Sequence, residues 1–145
     1  MDISEKGVIL MTERRIQYDS FKRLRSLTSI NVRHEVPLLG RIVDLVYIQA
    51  GLVITVEFKM HDWRRAILQA RDHLLGADYA YICMPKRKIS EQLQSAIKKA
   101  QVGLVFHKKQ GDWPFDIVIE APRSKDTWEI ARRDLVNYVT QEANG

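Results

Sequence analysis

Two short apolar runs separated by Ala50-Gly51 constrain this chain more than any other stretch. Ile42 to Lys59 reads IVDLVYIQAGLVITVEFK. Val43 and Leu45 to Ile48 precede the Ala-Gly pair, and Leu52 to Val56 follow it. Both runs are rich in β-branched residues, the signature of strands. A two-residue turn at Ala50-Gly51 pairs Gln49 with Leu52, and counting outward sets Asp44 opposite Glu57. A four-residue loop over Gln49 to Leu52 keeps that register, whereas an odd-length loop breaks it. Side chains alternate along a strand, so Lys59 joins Glu57 on one face. The hairpin thus predicts an Asp–Glu–Lys cluster among hydrophobic residues. Two ionised carboxylates ~5 Å apart repel by roughly 3 kcal/mol at an effective dielectric of about 20. Lys59 offsets part of this, and a divalent cation would offset more. Taken alone, the cluster reads equally as a carboxylate–lysine pair on a half-exposed sheet face or as a working site.

The 145 residues suit a single domain, 1–145, with a real core. A hydrophobic content of 46% with 28% charged residues is that of a soluble globular protein. No apolar stretch approaches the ~20 residues that a membrane helix needs. Asp2 and Glu5 ahead of the short Gly7–Met11 run make a poor signal peptide, so a cytoplasmic setting is expected. Cys83 is the lone cysteine, which leaves no internal disulfide and no thiolate zinc site. His34, His61, His73 and His107 are scattered and fit no close zinc spacing. The absence of a Gly-rich phosphate loop argues against a nucleotide-driven motor. A net charge of +5 is compatible with an anionic partner. Its distribution says more: Arg14, Arg15, Lys22, Arg23 and Arg25 crowd one early segment, and Arg64, Arg65 and Arg71 follow the hairpin.

Periodicity places the remaining elements. Thr12 fits the N-cap of a helix running to about Leu27, with Tyr18, Phe21 and Leu24 as its apolar stripe and Glu13 in the first turn. A strand over 30–36 is broken by Pro37. Asp62 fits a cap for a helix over about 62–75, where Trp63, Ile67, Ala70 and Leu74 recur at helical spacing, and another face carries Arg65, Gln69 and Asp72 or His73. A buried strand over 79–84 and a helix near 90–100 capped by Ser90 follow. Strands at 103–107 and 115–120 come next, then a final helix capped by Ser124 with Trp128, Ile130, Ala131, Leu135, Tyr138 and Val139 as apolar positions. Trp63 and Trp128 are expected to fill core, and Trp113 to be exposed. Short turns make the first three strands antiparallel, and the helical crossover from Lys59 to Tyr79 makes the next pairing parallel. The expected fold is α/β, a single mixed β-sheet flanked by helices.

Asp44 in GRIVD (40–44), followed thirteen residues later by Glu57-Phe58-Lys59, resembles the D…ExK signature of the PD-(D/E)XK nuclease superfamily. The order of elements is similar to that family's restriction-endonuclease-like αβββαβ core over about 12–107. A strand pair and C-terminal helix at about 108–142 would be additions. The proline of the family's name is absent, since Val43 precedes Asp44. The resemblance implies a Mg-dependent endonuclease, a hydrolase of phosphodiester bonds in DNA, with Mn able to substitute. Asp44 and Glu57 would be ligands, with the Phe58 backbone carbonyl as a third and Glu13 or Glu5 as an added carboxylate. Lys59 would orient the attacking water, and Gln69 resembles the glutamine of the recombination-nuclease branch, where a tyrosine stands four residues on and this chain has His73. Glu35, on the preceding strand, would join the site or pair with a basic neighbour. Hard oxygen ligands suit magnesium. Arg14, Arg15, Arg23, Arg64, Arg65 and Arg71 would hold the nucleic-acid backbone, and a homodimer or higher oligomer would cut both strands. Two other functions fit these residues: a catalytically silent nucleic-acid-binding or assembly subunit on the same fold, and a small enzyme using Asp44 and Glu57 as an acid/base pair.

Overall fold

A computed structural model describes residues 12–141. Helix α1 (Glu13–Arg25) starts at Thr12, whose side-chain oxygen accepts from the Arg15 amide at 3.2 Å. Glu13 lies in its first turn and Lys22, Arg23 and Arg25 in its last, charges that complement the helix dipole. Three strands follow: β1 (Ile30–Leu38), β2 (Arg41–Gln49) and β3 (Leu52–Phe58). After them come α2 (Trp63–His73), β4 (Tyr79–Met84), α3 (Glu91–Ala100), β5 (Gly103–His107), β6 (Phe115–Ile119) and α4 (Glu129–Thr140). The six strands form one sheet in sequence order, antiparallel from β1 to β3, parallel from β3 to β5 and antiparallel again at β6. Among the described residues four helices cover it, as the expected α/β class requires.

Both tight turns have the geometry the hairpins need. Leu39-Gly40 and Ala50-Gly51 all lie at positive φ (51°, 81°, 52° and 78°), the primed turn that matches strand twist. Gln49 pairs with Leu52 as the spacing predicts. Pro37 does not end β1, because β1 is an edge strand where a missing N–H is tolerated, and Pro37 pairs with Ile42.

One side of the sheet carries Leu45, Tyr47, Ile54, Val56, Phe58, Tyr81 and Cys83 against Ile16 and Leu24 of α1. The other side is covered by α2 and α3 over β4 and β5, and by α4 over β1 to β3. The first two strands change sides midway. Val32, Leu45 and Tyr47 pack with α1, and His34 stacks on Phe21 of α1, whereas Val36, Leu38 and Val43 pack beneath α4. The break falls at Glu35, whose φ of 54° is left-handed, and opposite it at Asp44; pairing skips from His34↔Leu45 to Val36↔Val43.

Several expected details shift. The buried face of α1 is Ile16, Ser20 and Leu24, while Tyr18 is exposed. Asp62 makes no side-chain cap, and its φ of 50° is left-handed. Ser90 does cap α3, accepting from the Leu93 amide at 3.1 Å. Ser124 does not cap α4: its hydroxyl donates to the Leu74 carbonyl at 3.1 Å, and the N-cap is Trp128. Trp128, Ile130 and Tyr138 are exposed, so α4 buries only Ala131, Leu135 and Val139. Trp63 is buried as expected, but Trp113 is half-buried against Tyr47 and Phe115. Among the described residues no helix is long and apolar enough to cross a membrane.

The C-terminal segment is tied down by one buried carboxylate. Asp78 accepts from the Val53 amide at 2.8 Å and from Arg132 at 3.1 Å through one oxygen, and from Arg123 at 3.4 Å through the other. Its backbone adds bonds to Val53 and Ser124. Removing a buried acceptor strands its donors. Asp78→Ala is therefore expected to cost about 2–4 kcal/mol, read as a lower urea midpoint, with Arg123→Ala costing far less because its guanidinium is largely exposed. Equal losses for the two variants would contradict this.

Candidate metal centre

The β2–β3 ladder has its last backbone pair at Leu45↔Val56. One step further out, carboxylates replace the carbonyl acceptors. The Phe58 amide donates to Asp44 Oδ2 at 2.9 Å, and the Asp44 amide approaches Glu57 Oε1 at 3.4 Å. Each strand thus holds the other's acid, and the two carboxylates meet as the hairpin register predicts. Asp44 is half-buried and Glu57 is 6% exposed. Burial, and then the adjoining Asp44 carboxylate, push the Glu57 carboxyl up to about 9; Lys59 acts weakly against that rise. The pair holds a proton at neutral pH in the absence of a cation.

Lys59 follows the last residue of β3 and is half-buried. Its amide donates to the Cys83 carbonyl at 2.9 Å, which carries the β3–β4 alignment one residue beyond the strand. Its ammonium is close enough to Glu57 to favour the ionised carboxylate.

Helix α1 supports both motif strands from its first two turns. Gln17 Nε2 donates to the Asp44 carbonyl at 2.9 Å, and Glu13 Oε1 accepts from the Met60 amide at 2.9 Å. Glu13 therefore braces the chain after β3. Gln17 was missed in the sequence, although its spacing of four from Glu13 puts both on one helix face. On the other side of the sheet, His73 Nε2 lies 3.5 Å from Glu57 Oε1. Burial lowers the His73 pKa to about 4, so the ring is neutral; its Nδ1 has no partner among the described residues. Gln69 stands one turn earlier on α2, half-buried, and no hydrogen bond links it to the carboxylates among the described residues.

The basic residues divide. Arg14 and Arg15 line an open groove of about 900 Å³ beside α1, together with Tyr18, Lys22 and His34, and Glu35 lies exposed on the same groove. Arg64 is exposed, 4.4 Å above the Trp63 ring; Arg65 and Arg71 are exposed on α2. Arg23 is committed to structure: it pairs with Asp19 at 2.9 Å and donates to the carbonyls of Lys108, Gly111 and Trp113. Glu5 lies outside the described residues.

Among the described residues, no three His, Cys, Asp or Glu side chains converge to hold a metal ion. The available donors are the two carboxylates and the backbone oxygens beside them. Such a set fits a hard divalent cation that keeps several waters, as magnesium does. A buried acid pair held short of full ionisation also has the charge deficit that a cation would supply.

Among solved structures, the chain is similar to an XisH family protein from Nostoc punctiforme PCC 73102, with 13% identity, 72% of this chain and 99% of that chain covered, and a TM-score of 0.50. It is also similar to SfsA of Pyrococcus furiosus, solved in complex with Ca2+, with 13% identity, 74% and 60% coverage, and a TM-score of 0.41. No family model and no curated protein matches the sequence. The first likeness bears on the fold alone, and the single mixed sheet with flanking helices is consistent with a restriction-endonuclease-like fold.

The raised Glu57 value sets a pH dependence. A carboxyl that keeps its proton in the folded state contributes stability present below its ordinary pKa of 4.5 and lost as pH rises through about 9. Without divalent metal, the melting temperature of the wild type should fall relative to Glu57→Gln across that window. Parallel pH curves for the two proteins would refute a perturbed Glu57.

Proposed function

We propose that this chain is a metal-dependent nuclease hydrolysing phosphodiester bonds in DNA. The observation that carries the reading is the Asp44–Glu57 pair, each acid bonded to the facing strand's amide, with Lys59 adjoining. In it, Asp44, Glu57 and the Phe58 carbonyl hold magnesium, or manganese in its place. Such an ion lowers the pKa of bound water and acts as a Lewis acid on the phosphate. Lys59 orients the attacking water and stabilises charge developing on the phosphate oxygens. Gln17 fixes the Asp44 backbone so that its carboxylate keeps its place. Arg14 and Arg15 in the α1 groove, with Arg64, Arg65 and Arg71, bind the sugar-phosphate backbone without reading sequence. A dimer acting in the cytoplasm, each copy cutting one strand, completes the reading.

Plasmid cleavage with magnesium tests it. Asp44→Ala, Glu57→Ala and Lys59→Ala should each lower the rate at least about a hundred-fold, while an exposed control such as Ile130→Ala retains it. Equal rates for all of them would sink the proposal.

One observation favours a second reading. No third acidic side chain joins the pair among the described residues, and Glu13 is engaged by the Met60 amide. A catalytically silent nucleic-acid-binding or assembly subunit would need no complete ligand set. Calorimetry with manganese separates the two readings: the nuclease should show binding that Glu57→Gln abolishes. Salt-sensitive DNA binding with no metal heat would favour the silent subunit.

A further inference from the structure

A second recess lies on the opposite sheet face from Glu57. Glu57 sits between Val56 and Phe58, both packed on the α1 side, and meets His73 of α2 on the other. The recess is on the α1 side, three residues along β2 from Asp44, or ~10 Å at strand spacing. It holds about 220 Å³ and is lined by Tyr47, Tyr79, Tyr81, Trp113, Phe115 and Glu120, among others. A cavity of about 150 Å³ accommodates benzene, so this one has room for a compact organic group.

The lining mixes aromatic rings with aliphatic side chains such as Ile54, Val56 and Val105, and carries one acid, Glu120. Trp113 stands almost perpendicular to Tyr47 (85°) and to Phe115 (89°), with ring centroids 5.6 and 6.2 Å away. Tyr47 and Phe115 are the near-parallel pair, 26° apart, with centroids separated by 6.4 Å. A flat base sandwiched between two rings needs about 7 Å, twice an aromatic contact distance of about 3.5 Å. That pair is too close to admit one. The limited space beside these packed rings suits a compact, rounded group instead. The Tyr81 ring is seated by Gly103, where a Cβ would collide with it, and its hydroxyl accepts from the Ala121 amide at 3.2 Å. Burial, reinforced by the neighbouring Glu120 carboxylate and Tyr79, raises the Tyr81 phenol, so it stays neutral. Aromatic faces carry negative potential, and Glu120 adds a full negative charge in a protein of net charge +5.

We propose that this recess binds a small quaternary or N-methylated ammonium compound, held by the rings of Tyr47, Tyr81 and Trp113 that line it and by the Glu120 carboxylate. A methylated ammonium is rounded, weakly hydrated and attracted to ring faces within about 6 Å of their centroids. The site requires neither the nuclease reading nor a metal.

The test compares choline with its neutral isostere 3,3-dimethylbutan-1-ol, followed by NMR at the Trp113 indole. Trp113→Phe, which keeps an aromatic ring in the packing, assigns the resonance. Choline should shift it saturably, and the isostere should bind at least about ten-fold more weakly. Glu120→Gln, at an exposed residue, should weaken choline several-fold and leave the isostere unchanged. Equal affinity for choline and isostere would overturn the proposal, as would adenosine monophosphate shifting the resonance at lower concentration than choline. So would the absence of any choline shift in a protein whose spectrum shows it folded.

Discussion

Everything at the carboxylate centre depends on two backbone amides that find side-chain acceptors where a strand ladder runs out. An amide buried without an acceptor costs on the order of 1–3 kcal/mol. At the end of the β2–β3 pairing that cost is avoided by Asp44 and Glu57, which accept from Phe58 and Asp44. Two acids are thereby drawn together in a place from which water is largely excluded. The same hydrogen bonds that finish the hairpin create its electrostatic problem. Glu57 answers it by keeping a proton, and a metal would answer it by replacing that proton.

The position of this centre follows from a local backbone irregularity. A regular strand would keep His34 and Val36 on one side of the sheet. The left-handed backbone at Glu35 instead sends His34 towards α1 and Val36 towards α4, and β2 changes sides with it at Asp44. A left-handed non-glycine residue costs about 1–2 kcal/mol. Here it releases Asp44 from the β1 pairing, so that its carboxylate is free to turn towards β3.

The hairpin, the crossover and the parallel pairing were legible because each rests on local chemistry: a Gly-containing turn, β-branched runs and a helix of fixed length. Helix faces were less legible. The buried stripe of α1 lies at Ile16, Ser20 and Leu24, displaced from the apolar-looking Tyr18, because the sheet and not the helix decides which side is covered. Ser124 looks like a cap, yet its hydroxyl bonds a carbonyl fifty residues away. Trp128 is exposed where core was expected, and Trp113 is half-buried against Tyr47 where exposure was expected. At the centre, Asp44, Glu57 and Lys59 could be read from register. Gln17 and His73 could not, since both reach it from elements whose packing angle is set by the whole sheet.

Arg23 gives α1 a second anchorage. Its guanidinium grips the carbonyls of Lys108, Gly111 and Trp113, while Asp19, one turn earlier, bonds His107 at 2.7 Å. At its other end the same helix holds the Asp44 carbonyl and the Met60 amide. From Glu13 to Arg23 the helix rises about 15 Å. Helix α1 therefore works as a tie bar across the sheet, setting the distance between the acid pair and the loop that carries Trp113.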